Sequence, residues 1–121
     1  MGLISPAAAE QLTRTELTPA QATALDFTRD LAAGRWIAAR SKMSLQLQEE
    51  LAPGDLERKW TKLSQVSGGF RKVKDAVIAH QGGDQQLVLV AVAFGQATTN
   101  LFVIFDASGR IINVDISRDF V

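Results

Sequence analysis

Chemistry in a protein starts from groups that can move protons, hold metals or attack carbonyls, and this sequence supplies few of them. His80 is its single histidine, and there is no cysteine. Disulfides, thiolate nucleophiles and cysteine metal sites are thereby excluded. With one imidazole, a zinc site would need several carboxylates converging on it, and no local spacing provides them. No metal and no cofactor are expected. Because Gln81-Gly82-Gly83 follows it, His80 reads as a solvated residue where a strand meets a turn rather than as a general base.

Asp75 interrupts an otherwise apolar alternation, Val73, Asp75, Val77, Ala79. A carboxylate on a pocket-facing strand has the makings of a proton acceptor, with Arg40 or His80 as its polar partner. Two blander arrangements account for it better: a bulge in the strand, or burial of the opposite face through Ala76 and Ile78. Asp106-Ala107-Ser108-Gly109 invites comparison with acidic metal loops, but one Asp ahead of a glycine is turn chemistry. Nucleophile-elbow, Walker and dinucleotide glycine patterns are absent. No catalytic residue is assigned.

Phe27, Trp36, Met43, Trp60 and Phe70 are large enough to line a small-molecule pocket. At helical spacing they serve as core first and pocket wall second. Arg71, Lys72 and Lys74, with Lys59 and Lys62 nearby, form a basic cluster without interleaved aromatics, which reads as a solvated rim.

The elements that must position these residues divide into two halves. Residues 1–17 are small, Ala-rich and weakly patterned, and read as an arm or short helix, with one domain over 18–121. Thr18-Pro19-Ala20-Gln21 has the makings of a capping box and starts a helix that presents Ala20, Ala24, Phe27 and Leu31 and stops at Gly34. A second helix from Arg35 carries Trp36, Ala39, Met43 and Leu47 and ends before Pro53-Gly54. A third, Asp55 to Leu63, aligns Leu56, Trp60 and Leu63, and Ser67-Gly68-Gly69 breaks it.

From there the period becomes two. Strands are expected at 70–81, 86–96, 99–106 and 110–116, joined by turns at Gly82-Gly83-Asp84 and Ala107-Ser108-Gly109. Short loops make consecutive strands antiparallel. The fold class is α+β: N-terminal helices packed on a curved four-stranded antiparallel sheet. Leu87 to Phe94 and Leu101 to Phe105 are apolar on both faces, although helices can cover only one. Pairing of two copies through the sheet is therefore expected, with Leu87, Leu89, Val90, Phe102 and Ile104 at the interface.

The chain has 121 residues, 46% hydrophobic and 21% charged, the composition of an ordinary globular domain. Thirteen basic residues balance thirteen acidic ones, so nucleic acid is not expected as a partner. Neither is a membrane: the longest apolar run is too short to span one, and residues 1–6 lack a signal-peptide pattern. Residence in the cytoplasm is the default, or export with the signal already removed.

Several local patterns carry a resemblance. Gly34-Arg35-Trp36 followed by Ala39, Leu56-Glu57-Arg58-Lys59-Trp60-Thr61-Lys62-Leu63, Gly69-Phe70, and Phe105-Asp106-Ala107-Ser108-Gly109-Arg110-Ile111 occur in that order. Over roughly 20–116 the chain resembles a bacterial domain of unknown function, sometimes found ahead of an α/β-hydrolase, in the cone-shaped superfamily related to nuclear transport factor two. Asn113 stands where that family often has glycine, and Ala52 where a helix cap is expected. The resemblance implies a curved sheet wrapped around helices, with an apolar pocket between them. Isomerases of the superfamily pair an acid with a tyrosine, and this chain has no tyrosine. The function expected is a non-catalytic small-ligand-binding or assembly domain, an accessory module of a bacterial hydrolase. Its rival is a cofactor-free lyase or isomerase acting on a small apolar substrate.

Overall fold

Thr18 opens the first helix, α1 (Pro19–Ala32), with both halves of the capping box in place. The Gln21 backbone N–H donates to Thr18 Oγ1 at 3.2 Å, and the Thr18 N–H donates to Gln21 Oε1 at 3.0 Å. The same Gln21 side chain donates through Nε2 to the Ala76 carbonyl at 2.8 Å, so one residue caps the helix and fastens it to the sheet. At the far end Gly34, at φ 75°, lets its own N–H reach the Leu31 carbonyl and the Arg35 N–H reach the Asp30 carbonyl. These are the paired bonds of a Schellman stop. A computed structural model describes residues 17–116; the arm expected over 1–17 falls outside them apart from Leu17, which packs against the core.

The single helix expected from Arg35 to Pro53 is two helices, α2 (Trp36–Ser41) and α3 (Leu45–Glu50). Met43, between them, forms a parallel bridge with Ile111. The Ser44 N–H donates to the Ile111 carbonyl at 2.8 Å, and the Ile111 N–H to the Lys42 carbonyl at 3.0 Å. Backbone groups drawn into the sheet edge cannot also serve a helix. Ser44 then restarts the helix, its Oγ accepting from the Leu47 N–H. The last helix, α4 (Asp55–Val66), buries Leu56, Trp60 and Leu63 as their spacing predicts and runs three residues past the expected end.

Four strands follow, β1 (Phe70–Gly82), β2 (Gln85–Phe94), β3 (Thr98–Phe105) and β4 (Ile111–Asp115). They pair in sequence order as an antiparallel meander. The fold is therefore α+β, helices first and sheet second, as the change of period implied. Alternation sorts the two faces. Val88, Val90 and Val92 of β2, with Leu101 and Val103 of β3, are 0% exposed and join the helices' apolar residues in one core. Leu87, Leu89, Phe102 and Ile104 point the other way and are half-buried. Val90 consequently cannot belong to an outward interface with Leu89, since neighbours along a strand face opposite sides.

Candidate functional site

The bulges anticipated around Asp75 exist. The β1–β2 register slips between Phe70 and Lys72, between Val73 and Asp75, and between Ile78 and His80. Asp75 lies opposite Ala91 and is exposed, while Ala76, opposite Val90, turns inward at 4% exposure. His80 is exposed opposite Leu87, with its Nε2 over Gly82, where a Cβ would sit 3.1 Å away. Arg40 belongs to α2, on the helical side, and donates through Nη2 to the Gln48 carbonyl. Asp75 and His80 share the outward side of β1 and Arg40 lies across the sheet from them. The three residues of the acid–base scheme are not gathered at one point.

The aromatic set also divides. Phe27 is 0% exposed, Met43 1% and Trp60 6%, so these three fill the interior rather than line a pocket. Phe70 is partly exposed at the start of β1, its ring 5.8 Å from Trp60 and 6.3 Å from Phe94. Trp36 is different. One side packs on the core and the other lines a groove of about 400 Å³.

Three short elements build that groove. α2 contributes Trp36, Ile37 and Arg40, the turn after α3 contributes Pro53, and the first turn of α4 contributes Leu56 and Glu57. Ile37 is 86% exposed and lies beside Trp36 on the groove wall, so the two form a contiguous apolar surface rather than a scattered one. The walls are mostly carbon, and Trp36 and Arg40 bring N–H donors to the lining. The Trp36 indole N–H has no acceptor among the described residues, and the Arg40 guanidinium has only Gln48. Asp55, which also lines the groove, is already engaged by Arg58 and by the Ala52 N–H. Trp36 and Arg40 were candidates on separate grounds, and the fold brings them together. Ile37, Pro53 and Leu56 were not foreseen as lining, because the wall they form depends on the break at Met43.

One buried charge escaped the sequence reading altogether. Asp30, 6% exposed on the apolar side of α1, accepts from Lys42 Nζ at 2.6 Å and from Arg35 Nε at 2.9 Å. Burial alone would push its pKa up; the hydrogen bonds from Lys42 and Arg35, with their charges, outweigh that and hold it below the ordinary carboxylate value. This is a brace between α1 and α2, not a site open to a ligand. The clue was an aspartate inside the Phe27–Leu31 stripe. Asp106 is spent on its turn: Oδ1 accepts from Ser108 Oγ at 2.7 Å and from the N–H groups of Ser108 and Arg110. The Ser108 hydroxyl, then the Arg110 N–H, hold its pKa low. Among the described residues no group of three or more His, Cys, Asp or Glu side chains is placed to hold a metal ion. No described helix is long and apolar enough to cross a membrane.

Fold and groove together define an α+β protein whose helices cover one side of a four-stranded meander and carry an apolar recess of their own. No family model matches the chain, and no curated protein matches it. Among solved structures it is similar to the NMR structure of a protein from Ruminococcus gnavus ATCC 29149, with 12% identity over 74% of this chain and 81% of that one, at a TM-score of 0.57. At that identity the likeness is one of fold.

Proposed function

We propose that this chain is a non-catalytic binding module that takes a small apolar ligand bearing an acceptor group, such as a carboxylate, in the groove between α2 and α4. The observation that carries this is Ile37, 86% exposed beside Trp36 and Arg40 on the wall of a recess of about 400 Å³. That volume lies within the range of small-molecule sites, which combine apolar walls with a few placed polar groups. The apolar body would lie on Trp36, Ile37 and Leu56, and the acceptor would meet the unspent N–H groups of Arg40 and Trp36. Membership of the cone-shaped superfamily, and service beside a hydrolase, belong to the same proposal and rest on the local patterns described above. The test is an NMR titration of the protein with decanoate. The Trp36 indole resonance and the Ile37 methyl groups should shift together, and Arg40→Gln should weaken binding roughly tenfold. Shifts that avoid these residues would rule out the groove.

A second reading is assembly of two copies through the outward sheet face, and the strand alternation favours it. Leu87, Leu89, Phe102 and Ile104 share that face, joined by Val77 at 49% exposure. Edge pairing is the less suitable geometry, because β1 bulges three times and carries Arg71, Lys72 and Lys74. Sedimentation at micromolar concentration separates the cases: a dimer dispersed by Leu89→Lys supports face pairing, and a monomer at all concentrations removes it.

A further inference from the structure

The chain's charges balance as a whole and not locally. From Arg58 to Lys74 there are six basic residues and no acidic one. Arg58 is held by Asp55 and by the Pro53 carbonyl. Lys59, Lys62, Arg71, Lys72 and Lys74 are exposed, and among the described residues none of them has an acidic partner. Spacings of three and four place Lys59, Lys62 and Val66 along one flank of α4. The Trp60–Phe70 ring contact draws the start of β1 against the same helix.

In the same stretch of chain Val66 is 45% exposed and Phe70 37%, while the bulge between Phe70 and Lys72 sets Lys72 opposite Ala93 and Phe70 opposite Phe94. A solitary exposed apolar residue needs no explanation, but two beside five unneutralised cations have the composition of a surface that meets both charge and hydrocarbon. We propose that this end of the molecule, α4 with the start of β1, docks on an anionic lipid bilayer. The four lysines and Arg71 meet headgroup phosphates, and Val66 and the exposed part of Phe70 enter the interfacial layer. Nucleic acid attracts the same cations but needs aromatic faces on which bases can stack. Phe70 has its ring against Trp60 and Phe94, and Val66 has no ring. The contact is peripheral, made by side chains rather than by a spanning helix. The two exposed apolar residues distinguish this surface from a solvated rim of charges.

The test is co-sedimentation of the full chain with phosphatidylcholine vesicles, with and without phosphatidylglycerol, at low and at physiological salt. Binding should require phosphatidylglycerol and weaken with salt. Lys59→Gln with Lys62→Gln should reduce partitioning about thirtyfold, and arginine at both positions should restore it. Val66→Ser should reduce binding without changing the salt dependence. All three variants alter exposed positions on α4, and their melting temperatures should match the parent's. Absence of binding to phosphatidylglycerol vesicles at low salt, or equal binding by the double glutamine variant, overturns the proposal. Stronger retention on heparin than on vesicles also overturns it, in favour of a soluble polyanion.

Discussion

Lys42 Nζ lies 2.6 Å from Asp30 Oδ2, joining the end of α1 to the residue just after α2. With Arg35 on the other oxygen at 2.9 Å, the buried carboxylate has both partners in the segment that follows it. Removing that carboxylate while leaving Lys42 in place strands a charge. Asp30→Asn should destabilise by about 2–3 kcal/mol, below the full cost for a buried pair because Arg35 is largely solvated. Urea unfolding at neutral pH measures it.

The same brace sets an acid limit. Asp30 titrates lower in the folded protein than its ordinary value of 3.8, so the stability it confers is complete above that value. It is lost as pH falls through the lower, folded pKa. Melting temperatures followed downward from pH 5 should show a steeper fall in the parent than in Asp30→Asn. Parallel curves would mean that the carboxylate is not coupled to folding.

Trp60 packs its ring 5.8 Å from Phe70 and 5.7 Å from Phe94 and is 6% exposed. Trp60→Ala should cost about 3–5 kcal/mol, whereas Phe70→Ala, already partly solvated, should cost about 1–2 kcal/mol. Denaturant midpoints of the two variants give the comparison; equal costs would place Trp60 on the surface.

The loop after α4 and the turn after β2 touch backbone to backbone. The Gly95 N–H donates to the Gly69 carbonyl at 2.8 Å, and a Cβ on Gly95 would run into the Gly68 carbonyl oxygen. Gly95→Ala should therefore destabilise by about 1–3 kcal/mol through overpacking. At Gly69 the space is open but φ is 86°, so Gly69→Ala should cost only about 1–2 kcal/mol of backbone strain. Thermal melts rank the pair.

Leu89 and Val90 provide the sharpest contrast available along one strand. Val90→Lys places an ammonium among 0%-exposed neighbours and should abolish folding. Leu89→Lys should leave a cooperative melt, because its side chain leaves the core side free. If both variants unfold, the outward face is structurally covered.

How much of this was legible depends on how local each cause is. The Thr18–Gln21 cap, the Leu56–Trp60–Leu63 stripe and the Asp106 turn rest on residues a few positions apart, and each was readable. The bulges that set Asp75 outward were named as an alternative and could be settled only by the register with β2. The break at Met43 was not readable, since Trp36, Ala39 and Met43 fit a helical stripe and their competitor, Ile111, lies in the last strand. The groove was hidden for the same reason: Trp36 and Arg40 could be singled out, but their opposition to Pro53 and Leu56 follows from ending α2 early. Asp30 was not legible, because an isolated aspartate in an apolar stripe becomes interpretable only with Lys42 and Arg35 in place.

The junction at Met43 also ties the last strand to the helices. Arg110 Nη1 donates to the Ser41 carbonyl at 2.7 Å across 69 residues of chain, next to the backbone bonds that tie Lys42 and Ser44 to Ile111. Detaching β4 from that junction unties α2 at one end and α3 at the other, and with them Trp36 and Arg40. The groove and the last strand should therefore open together, with the amide protons of Ile111 and Ser44 exchanging at matching rates. A ligand held in the groove should therefore slow amide exchange at Ile111, in a strand it does not touch.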